Sequence, residues 1–550
     1  FVKDLPLQGL DPATLLASLH ASPQKREQLA ELQAHYYQEW LKLWSQDFPD
    51  DGNTLAPADA DRRFDSPEWH DLPWFRALRR IYQLNADYLQ SLTDLAELEP
   101  RMQRRFRFAI HQLIDALAPT NYAATNPDAI KLAFESGGES LARGMKLLSE
   151  DIARGRISMT DESAFEVGKN LAVTPGDVVY ENEIAQLIQY RPSTAQVYER
   201  PLIIIPPFIN KYYILDLQPE NSFVRFCVER GFTTFIVSWR NIPPQLGHLT
   251  WDDYLEQGVF APIKAVREIT GSLTINALGF CVGGTLLATG LAVLAAKRHK
   301  PVASLTLLAS MLDYSDTGEI SVFVDPSFVA QCEAEYHEGG LVPGFRLAAT
   351  FATLRANDLV WYFVVNNYLL GRAPRPFDLL YWNADGSNLP GPLYAFYLRN
   401  MYLENNLRVP DKLRLCGVPV DLGKITLPAY VVATREDHIV PWKSAYLSAR
   451  FLGGRTDFVL GASGHVAGLV NPASQNRRHY WTGPDTMPEP ERWLETAHEH
   501  PGSWWPRWSE WLAQHAGNLK SAPRATGGSG YAQIESAPGR YVRERDMTHP

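Results

Sequence analysis

The sequence predicts an α/β protein: a buried, mainly parallel sheet flanked by helices, preceded by an α-helical domain and interrupted by an inserted cap subdomain. Short β-branched runs ("PLIIIPP", "FTTFIVSW", "SLTINALGF", "VASLTLLAS", "PAYVVAT") alternate with amphipathic stretches such as Trp251 to Ile269. Runs that are apolar throughout, not on alternate residues, belong to strands buried on both faces, as in a parallel sheet. From about Pro12 to Arg154 the apolar residues recur at helical spacing instead, as in "REQLAELQAHYYQEWLKLW" and "RRFRFAIHQLIDALA", with a break at the Pro- and Asp-rich "FPDDGNTLAPADADRRFDSP". Between "LLASMLDYSD" and "LPAYVVAT" lie more than a hundred residues, far longer than a βα connection, which marks an insertion over the sheet.

These textures divide the chain into a helical N-terminal domain (1–170), an α/β domain (171–520) with the cap at about 313–405, and a C-terminal tail (521–550) expected to be extended, since it opens with Gly, Ser and Pro. The cap is rich in aromatic residues, which either pack as a layer or form a partner surface. No internal repeat is found. The 550 residues, 45% of them hydrophobic, suffice for at least two packed units. A net charge of -10 without a Lys/Arg block argues against a nucleic-acid partner. Cys227, Cys281, Cys332 and Cys416 are too few and scattered for a disulfide framework and show no metal-ligand spacing, so a cytoplasmic protein without a metal is expected. The start, "FVKDLPLQGLDPATLLASL", has no signal-peptide core, and no segment has the apolar length of a membrane span.

The chemistry is concentrated in "NALGFCVGGTLLA". Cys281 sits between a strand-like run and a helix-like run, with Gly279 and Gly283 two residues to either side. This is the sharp strand-to-helix turn, the nucleophile elbow, of an α/β-hydrolase fold, with cysteine where serine is usual. A Cβ at either glycine would collide inside the turn, while the turn lifts the sulfur to the carboxyl end of the sheet.

A thiol nucleophile needs a base, and in this fold an acid and then a histidine follow the nucleophile. "YVVATREDHIVPW" ends a strand with Asp437, and "DFVLGASGHVAGLV" ends the next with a small-residue turn carrying His465. Asp437 could also serve simply as a turn aspartate. His438 directly follows the acid, is poorly placed to pair with it, and is expected to stand behind the site. An oxyanion needs donors: the N–H of Val282, after the nucleophile, and one from the loop of "LIIIPPFINKYYILDL", near Phe208 to Asn210 and centred on Ile209, since Pro206 and Pro207 have no N–H.

Together "GFCVGG", "IIIPPFINKYYILDL", "VSWRN", "TWDDY", "REDHIVPW" and "GHVAGLVNP" resemble the polyhydroxyalkanoate synthases, and "GFCVGG" is similar to the short-chain class I type. The resemblance runs from "PTNYAATNPDA" through "FDLLYWNADGSNLPGP" to "APGRYVR" and departs at Ala473, where the family often has a second proline. It implies an (R)-3-hydroxyacyl coenzyme A substrate, a growing polyester chain, a homodimer on the polymer granule surface, and no cofactor.

That chemistry suits a thiol. Exchange of one thioester for another costs little free energy, and the acyl-cysteine stays reactive towards the next hydroxyl. His465 would take the thiol proton as part of a thiolate–imidazolium pair, with Asp437 orienting the imidazole or activating the monomer hydroxyl through it. The cap would exclude water, since hydrolysis ends the chain. Two alternatives remain at this point: a cysteine-dependent thioesterase or esterase of the same fold, and a granule-surface scaffold with a degenerate hydrolase domain.

Overall fold

A computed structural model of the chain describes residues 11–44, 61–484 and 487–545. The first ten residues, and most of the break expected after Phe48, lie outside them. The chain forms two compact units. In one, helices Pro12–Leu19, Pro23–Trp44, Pro73–Leu95, Pro100–Ala116, Pro127–Glu135 and Glu139–Arg154 pack with a segment of the insertion, residues 349–375. The other comprises 162–348 and most of 376–548.

The helical unit therefore ends near Asp161, not 170, and the cap expected at 313–405 is divided, its middle packing with the helices. The reason is polar. Buried Asp115 accepts from Asn357 Nδ2 (2.8 Å) and from Arg63 (3.3 Å), and buried Asp151 accepts from the Tyr368 hydroxyl (2.7 Å). Carboxylates of helices 100–116 and 139–154 thus find partners on the insertion, without which burial would be costly.

The second unit is built on an eleven-stranded sheet among the described residues. In chain order its strands are β1 (Gly176–Glu181), β2 (Ala185–Tyr190), β3 (Leu202–Ile205), β4 (Thr234–Trp239), β5 (Ile275–Phe280), β6 (Val302–Leu308), β7 (Ala429–Thr434), β8 (Thr456–Gly461), β9 (His479–Thr482), β10 (His498–Pro501) and β11 (Glu535–Ser536). Their spatial order is β10-β9-β8-β7-β6-β5-β3-β4-β2-β1-β11. The six strands from β8 to β4 are parallel and are those with continuous apolar runs; the strands flanking them pair antiparallel. The parallel core aligns the carboxyl ends of β5, β7 and β8, where a site is expected. Among the described residues no helix is long and apolar enough to cross a membrane.

The tail does more than extend outside the domain. It supplies β11 and stitches the far edge of the sheet: Gln186 Nε2 donates to Glu535 (2.6 Å), the Gly527 N–H to Gln189 Oε1 (2.7 Å), and Thr526 and Gln533 both donate to Asp177 (2.7 and 2.6 Å). These bonds let β1 and β2 bury Asp177, Gln186 and Gln189.

A second buried carboxyl, Asp216, accepts from the hydroxyls of Thr174 (2.5 Å) and Ser222 (2.6 Å), with Tyr190 and Tyr212 beside it. Burial outweighs those bonds and raises its pKa to about 6. The folded state then holds this proton more tightly than the unfolded chain, so its contribution to stability falls as pH rises from about 4 towards 6. Asp216→Asn keeps an acceptor for both hydroxyls and removes the charge. Urea unfolding at pH 4 and pH 7 should show the variant gaining on the parent by on the order of 2 kcal/mol over that interval; an equal pH response in both proteins counts against it.

Candidate active site

The junction of β5 with the helix Val282–Ala296 brings Cys281 to φ 52°, ψ -129°. A non-glycine residue at positive φ costs on the order of 1–3 kcal/mol and persists only where its surroundings enforce it. Here the Cys281 N–H donates to Leu308 O at the end of β6 (2.8 Å), and the Cys281 carbonyl accepts from the N–H of Gly284 (2.9 Å) and Thr285 (3.3 Å). A Cβ on Gly279 would collide with the backbone of Gly284, and one on Gly283 with the carbonyls of Ile205 and Pro206. A Cβ on Gly284 would strike Ser310, so the second glycine of "VGG", passed over in the sequence, is required too. The sulfur is left half-buried at the carboxyl edge of the sheet.

Asp437 follows β7 and His465 follows β8, and the structure brings them together: His465 Nδ1 donates to Asp437 Oδ2 over 2.7 Å, both side chains being buried. Asp437 is also the turn aspartate, its Oδ1 accepting from the N–H groups of Ile439 (2.9 Å) and Val440 (2.8 Å), and its Oδ2 from the Thr434 hydroxyl (3.1 Å). Nδ1 is committed to the acid, and His465 stands close enough to Cys281 for the sulfur to act on its titration. The Phe280 ring stacks on the imidazole at 5.7 Å between centroids.

Burial alone would discharge both groups, yet each holds the other charged. Burial lowers the His465 pKa, but the Asp437 carboxylate and the Cys281 sulfur outweigh it and raise it well above the ordinary histidine range. Burial likewise raises the Asp437 pKa, but His465 and the two backbone N–H donors bring it below the ordinary carboxylate range. His438 is half-buried beside them, while the Asp437 oxygens bond to Thr434, Ile439, Val440 and His465.

Val282 is the first residue of its helix, so its N–H lies outside the intrahelical ladder. The loop after β3 begins at the elbow, as the closeness of Gly283 to Pro206 requires. It is pinned by the Trp239 indole donating to Pro206 O (2.9 Å) and by Ser387 N–H donating to Ile209 O (3.1 Å). The donor Ser387 belongs to "NADGSNLP", inside the insertion, whose motif spelling gave no hint of this contact. Sequence reasoning also missed Thr285, one turn beyond Cys281, and Tyr314, Tyr397 and Tyr402 near it; the aromatic richness of the insertion was the one signal of the three tyrosines.

Comparison with known proteins follows this geometry. Residues 60–227 match the family model described as the N-terminus of poly-beta-hydroxybutyrate polymerase (PhaC), and residues 200–472 match the alpha/beta hydrolase fold. The chain is 50% identical to the poly(3-hydroxyalkanoate) polymerase subunit PhaC of Cupriavidus necator over 545 residues, covering 98% of this chain and 91% of that one. It is 42% identical to the protein of the same description from Rhizobium etli, covering 88% and 77%. A poly(3-hydroxyalkanoate) polymerase of Methylorubrum extorquens is 40% identical, covering 89% and 82%.

The elbow contacts carry a stability test. Gly283→Ala should destabilise by about 1–3 kcal/mol, the usual cost of overpacking, because backbone carbonyls of a central strand cannot move aside. Gly464→Ala is the control beside His465: its Cβ would meet Glu436 O at 3.7 Å, an ordinary contact. Equal thermal midpoints for the two variants would contradict the steric account.

Proposed function

The chain belongs to the poly(3-hydroxyalkanoate) polymerase family, and from that premise we propose that it joins (R)-3-hydroxyacyl units from coenzyme A thioesters into a polyester through an acyl chain carried on Cys281. The observation that carries this reading is the 2.7 Å Asp437–His465 pair beside a cysteine at a strained elbow. In the first step the Cys281 thiolate attacks the thioester carbon, a new C–S bond forms, and coenzyme A leaves with the proton from the His465 imidazolium. In the second, a 3-hydroxyl attacks an acyl thioester, His465 takes the hydroxyl proton, the oxyester forms and the thiolate is expelled. The N–H groups of Val282 and Ile209 are the donors assigned to the tetrahedral oxyanion.

The spelling "GFCVGG" favours short-chain monomers of the 3-hydroxybutyryl type. Family resemblance further suggests a cytoplasmic homodimer at the polymer granule surface. A cysteine hydrolase of this fold would share the triad but release free acid, and a scaffold would need none of it.

One experiment separates these readings: supply 3-hydroxybutyryl coenzyme A and follow thiol release with turbidity. Thiol with polymer is the expected result; thiol without polymer indicates the hydrolase, and neither the scaffold. Cys281→Ala should abolish both signals with the fold retained. Removal of His465 should cost about 100- to 10,000-fold in rate, the range for loss of a general base, and His438→Gln much less. Retained turnover in Cys281→Ala, or the reverse ranking of the histidines, removes the assignment.

Asp437 acts through His465, since its oxygens are taken up by the turn and the ring. During loading the imidazolium is supported by two negative neighbours, Asp437 and the thiolate. Once the sulfur is acylated the thiolate charge is gone, and Asp437 alone supports the imidazolium formed when the hydroxyl is deprotonated. Asp437→Asn should therefore retain a loading burst of about one coenzyme A per site and slow elongation far more. Rapid-quench measurement decides: a burst slowed in step with steady-state turnover would show that Asp437 merely orients the ring.

A further inference from the structure

Three hydrogen-bonded hydroxyls run from the elbow into the insertion. Thr285, one turn into the helix Val282–Ala296, donates its backbone N–H to Cys281 O and its hydroxyl to Met311 O (2.8 Å). The Thr285 oxygen lies 3.0 Å from the Tyr314 hydroxyl, and that hydroxyl 3.2 Å from the Tyr397 hydroxyl. Tyr402 packs edge-on against both rings, at 5.1 Å from Tyr314 and 5.2 Å from Tyr397. Trp251 stacks on Tyr397 at 5.6 Å and holds it in place.

The direction of this chain is fixed. A hydroxyl has one hydrogen, and a carbonyl can only accept. Thr285 spends its hydrogen on Met311 O, so Tyr314 donates to Thr285, and Tyr397 in turn donates to Tyr314. The protons of Thr285, Tyr314 and Tyr397 all point inward, and the Tyr397 oxygen, at the outer end, presents its lone pairs. Thr285 and Tyr314 are buried, whereas Tyr397 and Tyr402 are partly accessible. Burial raises the pKa of all three phenols, so these are neutral hydroxyls, and each feels the charge of Cys281. An acceptor at the outer end of this chain, within electrostatic reach of Cys281, suits a ligand that brings a hydroxyl donor.

We propose that Tyr397, at the outer end of this chain, accepts a hydrogen bond from the 3-hydroxyl of the acyl unit delivered to Cys281, selecting hydroxylated over unsubstituted acyl thioesters. The proposal rests on the function proposed above and assigns Tyr397 as a positioning residue. An acyl group without the hydroxyl leaves the outermost oxygen unpaired in a largely dry site, which disfavours it.

The test compares loading rates, read as coenzyme A release in the first turnover, for 3-hydroxybutyryl and butyryl coenzyme A. The parent protein should prefer the hydroxylated thioester, and in Tyr397→Phe the ratio of the two rates should fall about 3- to 10-fold, the worth of one neutral hydrogen bond, while Tyr402→Phe, which keeps the packed ring, should leave it. A structural role would lower both rates together and leave the ratio, so an unchanged ratio in Tyr397→Phe, or an equal fall in Tyr402→Phe, overturns the inference. A parent that releases no coenzyme A from either thioester overturns both this inference and the proposed function. A parent that loads normally while the ratio stays fixed overturns the inference alone.

Discussion

The geometry of the site depends on one strained residue. Cys281 can stand at φ 52° because the N–H and carbonyl of that residue are both held, by Leu308 on one side and by Gly284 and Thr285 on the other. The contacts are possible because positions 279, 283 and 284 present no side chain to Gly284, Pro206 and Ser310. Strand β5, its helix and the end of β3 are thereby drawn into one close-packed corner. The corner aims the sulfur, frees the Val282 N–H, and places the loop after β3 alongside it.

The buried ion pair answers to the same corner. A buried carboxylate is costly unless its lone pairs are met, and Asp437 meets them with Thr434, Ile439, Val440 and His465. The turn that ends β7 and the acid that charges the imidazole are one object. A turn aspartate and a partner of the histidine, alternatives in the sequence, are compatible in the structure, since Oδ1 caps the turn while Oδ2 meets the imidazole.

How much of this was legible follows from how far each signal travels along the chain. The parallel strands announce themselves because burial on both faces demands continuous apolar runs, as in "LIII" and "TFIVSW". Cys281, Asp437 and His465 were readable because each follows such a strand and is flanked by turn residues. β1 and β2 were not, since Asp177, Gln186 and Gln189 spoil the pattern, and Thr526, Gly527, Gln533 and Glu535 of the tail reach back to meet them. β9 and β10 carry His479, His498 and His500 within short edge strands, which look like loop. For β1 and β2 the missing information sits in a partner far away in sequence.

The insertion shows the same limit most fully, because no local rule says which of its aromatics face what. Residues 349–375 give Asn357 and Tyr368 to buried carboxylates of the helical unit. Later residues of the same insertion give Ser387 to the loop after β3 and Tyr397 to the hydroxyl chain that ends on Thr285. A cap that merely shields a site from water could be apolar throughout. This one delivers hydrogen-bond donors and acceptors at fixed points, so its composition is set by the polar groups it must satisfy. Its tyrosines fit that need, since tyrosine buries a large apolar ring and still carries a directed hydroxyl.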